Sequence, residues 1–289
     1  MAEAVLQTPK RRKRINFRAS LCMPYAVFML LFVVLPLCFI FYYAFTDSDG
    51  QFSINSWKLI FTSIDKWKVI GLTLLVAAST TAFCILIAYP IAFILSNKKF
   101  NKNAVLVYIF LLPMWINFVV RTLALKDILN NITNLMFGWA LTEKANLSFL
   151  SIVIGMVYDY LPFAILPLYN QMLKMDKNQI EAAADLGANP FQVFYKTIIP
   201  MTIPGIVSAC TMTFMPTMSS YVIVYHMSNG KSMIIGTLIA DYVNSGGTAS
   251  GYNNGSALSL IMLMIVGLSI LAEKLFDKKD ESKKEGGLW

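Results

Sequence analysis

The chain has 289 residues, 57% of them hydrophobic and 14% charged, with a mean hydropathy of +0.60 and a formal net charge of +8. A soluble domain carries about a quarter charged residues, so the composition excludes that class and indicates an integral membrane protein. The positive charge would suit nucleic acid, but its distribution follows membrane spans instead.

The first 21 residues are basic and include the run Lys10–Arg14. The apolar stretch after them, Cys22–Phe45, is longer than the core of a secretory signal and is followed by no small-residue cleavage pattern, so it reads as a retained span. Crossing a bilayer takes about 20 apolar residues. Five further stretches meet that length: Val69–Leu95, Ala104–Leu125, Ser148–Met172, Met201–Tyr225 and Ala257–Leu275. The expected architecture is therefore all-α with about six spans. Lys and Arg number 17 on one side of this arrangement and 6 on the other. The positive-inside rule then places both termini in the cytoplasm, and Thr46–Lys68, Lys126–Leu147 and Met227–Ser256 outside. No nucleic-acid partner is expected; the bilayer is.

Little in the chain can perform chemistry. The four cysteines (Cys22, Cys38, Cys84 and Cys210) fall within spans without paired spacing and read as small apolar fillers. His226 is the single histidine and has no metal-binding or catalytic partner motif. Gly230-Lys231-Ser232 imitates the end of a phosphate-binding loop, but Tyr225 occupies the position of that motif's first glycine, and no strand precedes it. No catalytic residue, metal site or cofactor is expected.

Within the fourth span, Asp159 stands near mid-membrane depth. An ionised group there costs several kcal/mol unless it is paired or faces water, which makes it a functional candidate. With Tyr158 and Tyr160 beside it, it would offer a flexible polycation charge pairing and aromatic faces. The alternative is a structural pair between helices. Arg121 could be that partner, but in a straight third span it lies about 10 Å away in depth at 1.5 Å per residue, so it is expected to reach outward. Tyr221 is a further candidate for the path. Thr213, Thr217 and Ser220 form a polar stripe suited to helix packing.

Between the fourth and fifth spans lies "EAAADLGANPFQVFYKTIIP", Glu181 to Pro200, polar and helix-prone where a short loop would suffice. Asp176 can cap a first helix with Gln179 three residues on, and Ala182–Ala184 favour it. Gly187 suits the left-handed position that ends it. Asn189 and Pro190 then start a second helix, with Gln192 completing a capping box. A bent pair of short helices outside the bilayer buries little area alone. It needs a partner or the membrane surface.

Glu181-Ala182-Ala183, three residues, Gly187, nine residues, then Thr197-Ile198-Ile199-Pro200 resembles the EAA signature of type I ABC importer permeases. The family's final I-x-L-P is only partly matched, since Thr197 and Ile199 stand at its isoleucine and leucine positions. The stretches Leu111–Leu129, Val157–Asp176 and Ile199–Ile223 resemble spermidine/putrescine permeases, and among these the first of the two permease chains. The resemblance implies a type I importer fold in a bacterial inner membrane, with a transport domain over 68–275. Residues 1–21, 22–67 and 276–289 would be the basic terminus, the added first span with its outer loop, and the charged tail. It also implies that Glu181, Ala182, Ala183, Gly187 and Pro200 dock on an ABC ATPase dimer. A second permease and an external binding protein would complete the complex, and the ATPase would hydrolyse the ATP. A same-fold permease for ferric iron, a sugar or an anion, or an ATP-independent transporter or channel, is the alternative.

Overall fold

The computed structural model describes residues 23–97, 105–244 and 249–285, so the basic run Lys10–Arg14, Cys22 and most of the connection after the second span lie outside it. Among the described residues the protein is all helical, apart from one isolated bridge between Thr46 and Phe52.

Helix α1, Met23–Ala44, is the first span. Its turn Leu30–Val34 is a wide π turn, closed by the Leu35 N–H on the Leu30 carbonyl. Pro36 follows directly. Its ring would collide with the carbonyl four residues back, and widening the preceding turn relieves that clash. The short α2, Asn55–Thr62, folds back under α1, and Trp57 Nε1 donates to the Ala44 carbonyl at 2.9 Å.

Three long helices form the main bundle: α3 (Ile64–Ser96), α6 (Ser148–Leu173) and α8 (Pro190–Ser219). Their shared core contains Cys84, Ala88, Ala92, Ala164 and Ala209 among larger apolar side chains. Small residues let helices approach closely where lipid supplies no hydrophobic drive for association. One close approach is at Gly205, where a Cβ would stand 2.6 Å from Gln171 Cβ. Gln171 Nε2 in turn donates to the Met201 carbonyl at 3.0 Å, which locks that crossing.

Several expected spans are corrected. The third is broken: α4 (Val105–Leu111) tightens into a 3-10 turn over Leu112–Trp115, and α5 (Phe118–Phe137) leaves it at 94°. Pro113 has no N–H, and Asn117 accepts from the Val119 N–H as an N-cap, so one helix stops and another starts within an apolar run. Five helices can each cross a membrane alone, and counting the broken pair as one span gives six. Part of the expected outer loop after the third span is thus helical. The helix of the fifth span begins at Pro190, ahead of the apolar run from Met201, and ends at Ser219, followed by the short α9, Val222–Met227. The expected outer loop beyond it contains α10, Ile235–Asn244, and the last helix, α11, runs over Ala249–Glu285. Here α1 and α2 meet α11 through Ala44, Ile60, Ala257 and Leu258.

Candidate functional site

Two places on the chain can act, and the first is the polar bend. Helix α7, Lys177–Asp185, starts where the Asp176 carboxylate accepts the Asn178 N–H at 3.0 Å. The cap is therefore present, with its bond at Asn178. At the other end the Gly187 N–H donates to the Ala184 carbonyl and the Ala188 N–H to the Ala183 carbonyl, at 2.9 and 3.2 Å. That crossed pair is a Schellman ending, and it requires the left-handed backbone that Gly187 supplies at φ +86°. The next helix starts two residues later. The Gln192 N–H donates to Asn189 Oδ1 at 2.8 Å and the Asn189 N–H to Gln192 Oε1 at 3.0 Å, a complete capping box with Pro190 in the first turn.

The second arm is not a separate short helix. Pro190–Val193 passes through a π turn, Phe194–Ile198, into the membrane helix without a break. Pro200 follows this wide turn just as Pro36 follows the one in α1. Movement of the bend therefore reaches the end of a span through that wide turn. Glu181 and Ala182 are exposed, α7 buries none of its side chains, and Leu186 and Phe191 are 90% and 78% exposed on the two sides of Gly187. Apolar side chains presented beside charged ones on a rigid bend suit a protein partner. Sequence reasoning overlooked Leu186 and Phe191, although both stand out as large apolar residues in a polar segment.

The second place is inside the bundle. Arg121 does not reach outward. Its Nε donates to Asp159 Oδ1, its Nη2 to the Asp159 backbone carbonyl at 3.3 Å, and its Nη1 to the Pro113 carbonyl at 2.9 Å. Thr122 Oγ1 donates to Asp159 Oδ2 at 2.7 Å. Asp159 and Arg121 are 1% and 7% exposed. The 94° break explains the difference from the sequence expectation: α5 does not continue the line of α4, so depth counted along a straight helix no longer applies. A guanidinium is suited to this position because its planar fork can hold a carboxylate and carbonyls together. It bonds across the break to Pro113 and across the interface to α6.

The pair borders a pocket of about 450 Å³ with walls of Trp115, Phe118, Tyr160 and Phe163. Tyr160 is thus on the wall, and its hydroxyl donates to the Pro216 carbonyl at 3.3 Å. Tyr158 lies instead with its ring 5.6 Å from the Arg121 guanidinium carbon. Tyr221, half exposed, stands at the start of α9, whose Ile223 also borders the pocket. Thr122, Trp115, Phe118 and Phe163 were not singled out from sequence. Within the polar stripe, Thr213 and Thr217 are buried and donate to the Ala209 and Thr213 carbonyls of their own helix. Among the described residues no cluster of His, Cys, Asp and Glu could hold a metal ion.

No family model matches the chain. It is 30% identical over 273 residues to the spermidine/putrescine transport system permease protein PotB of Escherichia coli K12, covering 88% of this chain and 96% of that protein. With the PotB of Haemophilus influenzae the identity is 29% over 266 residues, covering 88% and 93%. Among solved structures, a chain of a bacterial alginate ABC transporter, crystallised with an alginate pentasaccharide-bound periplasmic protein, matches with a TM-score of 0.69. That match covers 91% of this chain and 94% of the other at 13% identity, and it speaks for the fold alone.

Proposed function

The chain belongs to the family of spermidine/putrescine transport system permease proteins, and from that membership we propose that it is the permease subunit through which an ATP-driven importer carries polyamines across a bacterial cytoplasmic membrane. The observation that carries the mechanism is the exposed, cap-stapled bend at Glu181–Pro200, which runs through the wide turn Phe194–Ile198 into the fifth span with no break in the helix. Its partners in this reading are an ATPase dimer that receives Glu181, Ala182, Ala183, Gly187 and Pro200, a second permease and an external binding protein. ATP binding closes the ATPase dimer, the bend moves with it, and the spans change the side on which they open. Hydrolysis belongs to the ATPase, and this chain converts closure into gate movement.

A polyamine carries several positive charges, and moving it through low dielectric is steeply unfavourable without counter-charge or aromatic faces. Both oxygens of Asp159 already accept from Arg121 and Thr122, so the pocket's polar floor is nearly neutral. The rings of Tyr160, Phe163 and Trp115 then carry most of the cation's stabilisation on this side of the path. Tyr158 steadies Arg121, Tyr221 precedes the helix whose Ile223 borders the pocket, and the second permease supplies the remaining wall.

Orientation is tested by single cysteines in a chain whose four native cysteines are replaced. In intact cells an impermeant thiol reagent is expected to label Asp49→Cys and to leave Lys177→Cys unlabelled until the membrane is opened. Labelling of Lys177→Cys in sealed cells would put the bend on the side away from ATP and end the docking reading.

A further inference from the structure

The wide turn Phe194–Ile198 is where a push on the bend could be lost, because a π turn is one of the few places where a helix kinks. Two neighbours of the same side chain straddle it. Tyr89 of α3 meets Phe194, the first residue of the turn, edge to face at 5.8 Å between ring centroids. The hydroxyls of Tyr89 and Thr202 are 2.9 Å apart, and Thr202 stands four residues beyond the turn. Thr202 Oγ1 sits 3.0 Å from the Ile198 and Ile199 carbonyls and donates to them, so Tyr89 is the donor to Thr202. Thr202 is fully buried. Phe93, one turn along α3, also meets the Phe194 ring edge to face, at 6.3 Å between centroids.

Beside this grip lies an apolar pocket of about 620 Å³, bordered by Tyr89, Pro90, Phe194 and Ile206. It gives the Phe194 ring room to swing. Pro90, next to Tyr89 and within α3, leaves the carbonyl four residues before it without its helical partner, so α3 can flex at the same level. The wide turn, the free volume and the loosened helix coincide at one level, and Tyr89 bridges the turn from Phe194 to Thr202.

We propose that Tyr89 is a positioning residue for transport: by gripping the fifth span on both sides of its wide turn, it passes the movement of the Glu181–Gln192 bend to the second span instead of letting the turn absorb it. This rests on the coupling role proposed above for the bend. The prediction is loss of coupling, not loss of assembly. Tyr89→Phe keeps the ring and removes the donor, and Thr202→Val keeps the shape and removes the acceptor.

The test uses the complete complex, with ATPase, second permease and binding protein, in proteoliposomes, and measures spermidine taken up per ATP hydrolysed. Each variant is expected to assemble and hydrolyse ATP as the parent does, yet to move roughly two- to tenfold less spermidine per ATP, the population shift that one hydrogen bond supports. The double variant is expected to fall no further than either single one, because both remove the same bond. Phe194→Ala should uncouple in the same sense. If Tyr89→Phe fails to assemble, Thr202→Val decides. An unchanged ratio in Thr202→Val, or uptake that falls only in step with hydrolysis, overturns the proposal. In that case coupling by the parent complex shows that the role of the bend stands. Uptake by the parent that ignores ATP would instead sink the coupling role itself.

Discussion

Gly187→Val is expected to abolish uptake while leaving the chain inserted in the membrane. At φ +86° the Gly187 backbone is left-handed, and a Cβ built there meets no atom within 4 Å. The cost of a side chain is therefore purely conformational. An ordinary L-residue loses about 1–2 kcal/mol in this region, and a β-branched one more. At about 1.4 kcal/mol per tenfold, valine depopulates the bend by an order of magnitude or more. The Ala183 and Ala184 carbonyls then lose their closing N–H groups, and Leu186 and Phe191 lose their fixed relation. A graded series separates this cause from bulk: Gly187→Asn should retain most activity, Gly187→Ala less and Gly187→Val least, because asparagine tolerates the left-handed region. ATP-dependent uptake at equal membrane levels of each variant is the measurement. Equal uptake by Gly and Val would mean that the bend is only a connection.

Asp159→Asn is expected to damage the complex itself. In this variant Arg121 keeps its charge among buried groups and loses its counter-ion. Breaking a buried pair by removing one member costs about 3–5 kcal/mol. The loss should appear as lower recovery and earlier thermal unfolding of the purified complex. The double change Arg121→Gln with Asp159→Asn should recover a large part of it, since it removes both charges and keeps groups able to bond Thr122 and the Pro113 carbonyl. A single variant that is as stable as the parent but takes up polyamine slowly would reverse this. The acid would then be acting on the cation, and the bond to Arg121 would be secondary.

The bend was legible in the sequence because its determinants are local. Asn189, Pro190 and Gln192 form a capping box within one turn, and Gly187 ends α7 through carbonyls three and four residues away. The six-span frame was legible for a similar reason, since hydropathy sums over neighbours. The break in the third span was not, although Pro113 and Asn117 both signal it, because averaging over an apolar run hides a cap inside it. That omission propagated. A straight helix separates Arg121 from Asp159 by depth, whereas the observed 94° turn brings them into direct contact. The second partner of Asp159, Thr122, and the meeting of Phe194 with Tyr89 join residues distant in sequence. No pattern within one segment encodes either. The sequence marks Pro200 as the end of a motif, and its further effect, a wide turn that keeps the helix continuous, depends on the carbonyl it would otherwise strike.

Uptake of labelled spermidine by proteoliposomes that hold this chain with its ATPase, second permease and binding protein tests the central claim most directly. The account predicts uptake that requires hydrolysable ATP on the side of the bend and binding protein on the other. Excess unlabelled spermidine or putrescine should suppress it, and a sugar, ferric iron or an anion should not. Uptake that continues without ATP, or a complex that moves one of those other solutes and leaves spermidine outside, would contradict it.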